Sequence, residues 1–201
     1  MPTPNIDPAA AAKLALRDQL VTARGRVSVP DLARQARLLA EVLLAVPEVR
    51  RAATVAAYVS VGREPGTGHL LDALADTGKR VLLPLLLPDD DLDWGVYRGA
   101  DTLVRARRGL LEPAGDPLGV EAVAGADVVL VPGLAVDRTG LRLGRGGGSY
   151  DRALARVPLG TFTCVLLLDD EVLESVPAAP HDRRVTAAAT PAGITRFGHP
   201  G

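Results

Sequence analysis

The sequence predicts a three-layer α/β domain with a mostly parallel central sheet and helices on both faces, and three observations carry that prediction. Short apolar runs of strand type, at residues 54–60, 80–87, 128–131 and 161–168, alternate with helical patterns. At 201 residues and 47% hydrophobic, the chain is long enough to bury a sizeable core as a single domain spanning residues 1–201. Its 21 Gly and 16 Pro are scattered among frequent Leu, Val and Ala, a pattern of many short connections and not of disorder.

The first helix is expected over residues 8–23, with Asp7 as N-cap, Pro8 in the first turn and Leu14, Leu16, Leu20 and Val21 as its apolar positions. Lys13 and Arg17 stand four apart and so project from one face, which by spacing alone is a solvated basic face. A second helix over 30–46, capped at Ser28 or by the Val29-Pro30-Asp31 turn, places Leu32, Ala36, Leu39, Leu43 and Leu44 toward the core. The run 54–60 (TVAAYVS) reads as a buried strand, followed by a turn through Gly62, Pro65 and Gly66 and a helix over 68–76 that Gly78 ends. Glu64 therefore sits at the C-terminal end of a strand, where open α/β sheets bind ligands, although a turn glutamate is more often simply solvated.

The next strand, 80–87 (RVLLPLLL), should be parallel to the previous one through a right-handed crossover. The acidic residues Asp89, Asp90, Asp91 and Asp93 lack the glycine and terminal glutamate of a calcium loop and fit a solvated hairpin turn, after which 92–97 pairs back with Trp94 half buried. Arg105, Arg107 and Arg108 form a small basic cluster ahead of Gly109-Leu110-Leu111-Glu112-Pro113.

The stretch 127–154, DVVLVPGLAVDRTGLRLGRGGGSYDRAL, is the one the chain is organised around: a strand, a glycine loop and a helix start near Ser149. Gly144, Gly146, Gly147 and Gly148 free the backbone to bring consecutive N–H groups onto an anion. The helix dipole and the forks of Arg142 and Arg145 favour phosphate there. A tight turn is the plain alternative. No Gly-Lys-Ser/Thr follows, which excludes a Walker A loop, and a dinucleotide fingerprint starting at Gly144 would put its last glycine on Ser149. Asp169 and Asp170, beyond the strand 161–168, nevertheless lie where a ribose-binding acid would sit, so a nicotinamide-dependent oxidoreductase stays as a minor alternative. A short helix over 169–174, a turn at His181-Asp182, a last strand over 187–190 and a frayed tail from about 196 complete the chain.

The segment VPGLAVDRTGLRLGRGGGSYDRAL closely resembles the signature of the 5-formyltetrahydrofolate cyclo-ligase (5,10-methenyltetrahydrofolate synthetase) family. Four further elements resemble that family in order: Lys13/Arg17, Glu64/Thr67, the run 109–113, and Pro180-His181-Asp182. The resemblance implies a Rossmann-like fold and ATP-dependent closure of 5-formyltetrahydrofolate to 5,10-methenyltetrahydrofolate, a C–N bond-forming ligase reaction releasing ADP and phosphate. It implies that Lys13, Arg17, Arg142, Gly144, Arg145, Gly146, Gly147, Gly148, Ser149 and Tyr150 bind ATP, with Lys13 and Arg145 catalytic. Val59, Glu64, Thr67 and Trp94 would meet the folate, and Asp151 with Asp182 would hold Mg²⁺. Lys13 is one of only two lysines among 23 basic residues. Two positions depart from the family's pattern, Ser149 where tyrosine is common and Ala179 where glutamate is usual. A homologue that binds folate or nucleotide without turnover is therefore the second reading.

Several classes are disfavoured. A net charge of −1 and 3% aromatic residues argue against nucleic acid or an anionic membrane as partner. The N-terminal residues do not read as a signal peptide and no run approaches a membrane span, so a cytoplasmic protein, monomeric or dimeric, is expected. Cys164, alone inside an apolar run, is expected to be a core residue and not a nucleophile.

Overall fold

A computed structural model describes residues 8–198. Helix α1 (Pro8–Gly25) is followed by α2 (Val29–Ala45), capped by the Ser28 hydroxyl on the Asp31 N–H, and a short α3 (Pro47–Arg51). Then come β1 (Thr54–Ala56), α4 (Gly68–Asp76), β2 (Arg80–Leu86) and β3 (Leu92–Val96). The strands β4 (Leu103–Arg105) and β5 (Leu111–Pro113) form a small hairpin that sequence patterning does not announce. The second half holds β6 (Val128–Pro132), β7 (Ala135–Asp137), β8 (Arg142–Leu143), α5 (Ser149–Arg156) and β9 (Phe162–Leu166). It ends with β10 (Val172–Leu173), β11 (Ala187–Thr190) and β12 (Gly193–Arg196). Asp7 and residues 199–201 lie outside the described residues.

The main sheet runs β12-β11-β9-β6-β1-β2-β3, parallel from β11 to β2 with an antiparallel strand at each edge. Its two faces are covered differently because strand residues alternate sides. Val55, Val81, Leu83, Val128, Leu130, Cys164 and Leu166 pack with Leu39, Leu43, Leu70, Leu71 and Leu74 of α2 and α4. Ala56, Leu82, Val129, Val131, Val165 and Ala188 pack with Ala153 and Leu154 of α5. The three-layer prediction therefore holds. A third, smaller core joins Leu20 of α1 to Leu134, Leu141, Leu143 and Val176 around the sheet β10-β7-β8.

Three local expectations need correction. The strand expected over 54–60 pairs only through Ala56. Beyond the bond from the Ala57 N–H to Leu82 O, Ser60 and Thr67 exchange bonds instead, Ser60 N to Thr67 Oγ1 at 2.9 Å and Thr67 N to Ser60 Oγ at 3.1 Å. The expected helix over 169–174 is a single 3-10 turn, Asp169–Glu171, after which Val172 and Leu173 pair in parallel with Val136 and Asp137. The tail does not fray at 196: β12 pairs along its length with β11, Arg196 holds Glu48 through two bonds of 2.7 and 2.9 Å, and Phe197 is buried. Cys164 is fully buried, and burial pushes its thiol well above its usual range, so it is a core residue.

Asp137 organises the connection from β7 to β8. Its Oδ1 accepts from the Thr139 N–H at 2.8 Å, the Thr139 hydroxyl at 2.6 Å and the Leu141 N–H at 3.1 Å. Burial raises the Asp137 carboxyl, but those donors outweigh it and hold the group below the ordinary 3.8. Asp182 is likewise raised by burial and lowered further by Lys13 and the Ala179 N–H, with a net shift downward. Because both folded values lie below the unfolded 3.8, the unfolded chain protonates first as pH falls. Their contribution to stability is complete above the unfolded value and is lost as pH drops through the folded ones. Denaturant titrations should give a flat midpoint between pH 6 and 8, by about a tenth of the total at most, and a steep decline below about pH 4. A midpoint that rises on acidification would contradict these assignments.

Candidate active site

Numbering the five parallel strands in chain order gives the spatial order 5-4-3-1-2, with the reversal between β1 and β6. Doubly wound sheets bind ligands in the crevice outside the carboxyl ends of the strands at such a reversal. A cleft of about 360 Å³ lies there. Glu64 beyond β1, Pro84 and Leu86 at the end of β2, and Pro132 and Gly133 at the end of β6 line it, and the glycine loop and α1 add the rest.

Residues 144–151 all line the cleft, with Arg142 and Leu143 before them. Gly146 and Gly148 have φ of 103° and 69°, a region that L side chains rarely adopt, and Gly148 directly precedes α5. A Cβ at Gly144 would stand 2.7 Å from Arg142 Nη1, so that glycine makes room for the guanidinium. Arg142 is buried; it donates from Nη1 to Pro132 O at 3.1 Å and from Nη2 to Asp151 Oδ1 at 3.0 Å, and its Cζ lies 6.0 Å from the Tyr150 ring centre. Its Nε is buried without a partner among the described residues. Burial and the nearby Glu64 push the Tyr150 phenol up, so it stays protonated at neutral pH.

Helix α1 brings in two cations. Lys13 is 7% exposed, and its Nζ meets both Asp182 oxygens, at 2.7 and 2.5 Å. Arg17 donates from Nε to Gly144 O at 2.8 Å, and its guanidinium lies against Gly146. The face that spacing alone would leave solvated is turned onto the glycine loop and cleft. Across the mouth, exposed Arg145 donates from Nε to Glu64 Oε1 at 3.0 Å while Glu64 Oε2 accepts from the Val61 N–H at 2.8 Å. Asp151 accepts from Arg142 and from the Arg183 N–H at Oδ1, and its Oδ2 carries no hydrogen bond among the described residues. Among the described residues no group of three or more His, Cys, Asp or Glu is arranged to hold a metal.

Lys13, Arg17, Glu64, Arg142, residues 144–151 and Asp182 thus converge as the sequence suggests. Three of the expected folate residues do not line the cleft. Trp94 is 1% exposed and packs in the core with Leu82 and Val129, not half buried and free to stack, because β3 is covered by the chain around Leu118 and Val123. Thr67 is buried and engaged with Ser60, so it shapes the loop that presents Glu64. Val59 packs against the core beneath. Asp169 caps the Ala192 N–H at 2.9 Å and is away from the cleft, which leaves the ribose-binding role without support. The two family departures are also placed. Ser149 lines the cleft, and Ala179 serves through its backbone, whose N–H donates to Asp182 Oδ2 at 2.7 Å whatever its side chain.

Sequence reasoning missed the acidic turn's role. Arg156 clasps Asp91 through bonds of 2.9 and 2.6 Å, Arg152 donates to Asp90 O at 2.5 Å, and Arg108, a cleft residue, meets Asp90 Oδ1 at 2.7 Å. The turn is pinned to α5 through Asp90 and Asp91, while Pro88 and Asp89 are exposed as a solvated turn requires. The available signal was the spacing of Arg152 and Arg156 on one helix face. Replacing Asp91 with asparagine should weaken the pinned turn and lower the melting temperature by about 3–6 °C, since the lost charge-assisted bonds amount to about 1.5–3 kcal/mol less what the amide retains. Differential scanning calorimetry reads it directly, and an unchanged Tm would show the turn to be held otherwise.

Fold and cleft together define a doubly wound α/β protein with a glycine-rich cleft lined by Lys13, Arg17, Arg142 and Arg145 at its switch point. The chain belongs to the 5-formyltetrahydrofolate cyclo-ligase family, whose model matches residues 9–191. It is 49% identical over 143 residues to the 5-formyltetrahydrofolate cyclo-ligase of Mycolicibacterium smegmatis, covering 69% of this chain and 73% of that one. It is 33% identical over 160 residues to that of Escherichia coli, covering 76% and 85%. The solved structure of Aquifex aeolicus 5,10-methenyltetrahydrofolate synthetase superposes with a TM-score of 0.80 at 26% identity, covering 94% of each chain. In the described residues no helix is long and apolar enough to cross a membrane.

Proposed function

We propose that this chain closes 5-formyltetrahydrofolate to 5,10-methenyltetrahydrofolate at the expense of ATP, releasing ADP and phosphate. The observation that carries the reading is the convergence, in one cleft at the β1/β6 reversal, of Lys13, Arg17 and Arg142 on a glycine loop opposite Glu64. A formamide carbon is a poor electrophile. Transfer of the γ-phosphoryl group to the formyl oxygen makes that oxygen a leaving group and leaves an iminium-like carbon. The N10 amine attacks that carbon, the C–O bond breaks, phosphate departs, and the N10 proton is lost to solvent or phosphate. No enzyme nucleophile is needed.

Phosphoryl transfer asks the protein for positioning and charge neutralisation. Lys13 and Arg17 neutralise phosphate charge from one side and Arg142 from the other, while the N–H groups of 146–148 orient the oxygens. Arg145 belongs to the glycine loop and bonds to Glu64, so it is the cation that would act on the transferred group as the two substrates meet. Glu64 accepts from the pterin's N–H groups once Arg145 leaves it. Asp151 suits Mg²⁺ through its unbonded oxygen, because this ion takes one or two carboxylates and completes its shell with water and phosphate. Asp182 joins it only if Lys13 moves to phosphate. When bound, the ion neutralises charge on the phosphate oxygens. The working unit proposed is a monomer in the cytoplasm, where the buried free thiol of Cys164 fits.

Substrate carrying ¹⁸O in its formyl group tests the mechanism. The label should leave in inorganic phosphate, one atom per turnover. Label recovered in water with unlabelled phosphate would rule out phosphorylation of the formyl oxygen.

A further inference from the structure

The cations of α1 need a fixed platform, and apolar packing supplies little of it. Of this 18-residue helix, Leu20 is the one buried apolar side chain; Lys13 and Arg24 are the other buried residues. Lys13, Arg17, Leu20 and Arg24 recur at spacings of four, three and four, so they form a single stripe facing the body. The first two meet the glycine loop and Asp182. Arg24, at the far end of the stripe, does something else.

Arg24 is 2% exposed and Glu171 4%. Arg24 donates from Nε to Glu171 Oε1 at 2.6 Å and from Nη2 to Glu171 Oε2 at 2.7 Å, and the same Nη2 reaches Gly133 O at 2.7 Å. Glu171 Oε2 also accepts from the Leu168 N–H at 2.8 Å. One guanidinium therefore ties the end of α1 to the backbone just beyond β6 and, through Glu171, to the turn after β9. Gly133 is itself a cleft residue, packed so closely on the sheet that a Cβ there would stand 2.6 Å from Val165 Cγ2. A buried ion pair gains little stability over an apolar pair of the same volume, and its best-attested use is to fix register.

We infer that the Arg24–Glu171 pair is the positioning device for the nucleotide half of the site: it sets the register of α1 on the switch-point backbone, so that Lys13 and Arg17 reach the phosphates. Arg17 and Lys13 lie seven and eleven residues away, roughly 10 and 16 Å along the helix, so a small slip or tilt at Arg24 carries through to both. Glu64, by contrast, is held directly by the Val61 N–H and by Arg145 rather than by Lys13 or Arg17. Arg24 and Glu171 touch neither substrate; they are positioning residues. The nucleotide part of this inference rests on the function proposed above.

The double variant Arg24→Met/Glu171→Gln removes both charges together, leaves neither buried alone, and keeps an amide oxygen for the Leu168 N–H. Arg24→Lys retains the charge but cannot make the forked contact with Gly133 and Glu171 at once, and serves if the double variant fails to fold. Binding of MgATP and of 5-formyltetrahydrofolate is measured by calorimetry, and amide exchange in α1 by mass spectrometry. The folded double variant should bind ATP about tenfold more weakly, in line with the cost of small misplacements, with folate affinity changed by less than about twofold. Exchange over residues 13–20 should speed up while that of α2 does not, and Arg24→Lys should fall between. Unchanged ATP affinity, or equal weakening of both ligands, overturns the inference. If the wild type binds no ATP, the function proposed above fails, and exchange alone then decides: unaltered protection of α1 in the variant overturns the positioning role too.

Discussion

Replacing Lys13 with methionine should lower kcat/KM for ATP by about 10²- to 10³-fold, the usual loss when a preorganised donor to a phosphoryl or oxyanion group is removed. Lys13 reaches the cleft from α1 with its ammonium held by both oxygens of Asp182, so it is aimed before substrate arrives. Folate affinity should change little, because Glu64 stands on the other side of the cleft. Part of any loss would come from leaving the Asp182 carboxylate buried and unpaired, which costs stability as well as function. Combining Lys13→Met with Asp182→Asn separates the two: stability should recover and activity should not. Activity restored by the second change would mean that Lys13 serves the fold alone. Single-turnover measurements and thermal melts of the three proteins check each arm.

The second large effect concerns stability. Gly140→Ala should destabilise the protein by about 3 kcal/mol, the sum of a left-handed backbone for alanine and an overpacked contact. Gly140 has φ of 81°, and a Cβ there would lie 2.3 Å from the Val185 carbonyl oxygen and 3.2 Å from Phe197. A backbone carbonyl cannot rotate away as a side chain can. Moreover, the backbone around that contact is in use: Gly140 O accepts from the Val185 N–H at 2.9 Å, and Gly140 N–H donates to Asp137 O at 3.0 Å. The strand pair β7–β8 and the segment leading to β11 would separate together. For a chain of this size the loss corresponds to about 6–12 °C in Tm. A shift below about 2 °C would show that the turn relaxes freely.

Much of the fold was legible because its signals are local and repeated. The apolar runs of β2, β6 and β9 are strands buried on both faces, and their composition says so without reference to partners. The glycine loop and its arginines were legible for the same reason: four glycines between a strand and a helix constrain the backbone wherever they occur. What was not legible depends on distant pairing. Tyr58, Val59 and Ser60 have strand composition, yet the reciprocal bonds between Ser60 and Thr67 take the chain out of the sheet. Val172 and Leu173 follow three acidic residues that read as a helix start, but a parallel partner in β7 claims them. Trp94 is a large aromatic beside a predicted cleft, and nothing local tells that the chain near Leu118 and Val123 will cover it.

The site divides in the same way. Lys13 and Arg17 were identifiable through their resemblance to a family motif, whereas spacing alone made them a solvated face. Arg24 and Glu171, 147 positions apart, carry no sequence signal of their partnership beyond the spacing of Arg24 on the α1 stripe. Asp91 and Arg156 are similarly remote. Long-range ion pairs are a consequence of the finished fold, so they can be read only from it.

The proposed function requires this cleft to bring ATP and 5-formyltetrahydrofolate together for turnover. Purified protein mixed with 5-formyltetrahydrofolate, Mg²⁺ and ATP should produce a steady rise in methenyltetrahydrofolate absorbance, with one ADP formed per product and no rise when ATP is omitted. Absence of the rise in folded protein that still binds both ligands would rule out the cyclo-ligase reaction, leaving a binding homologue in which Ser149 and Ala179 are the first positions to change.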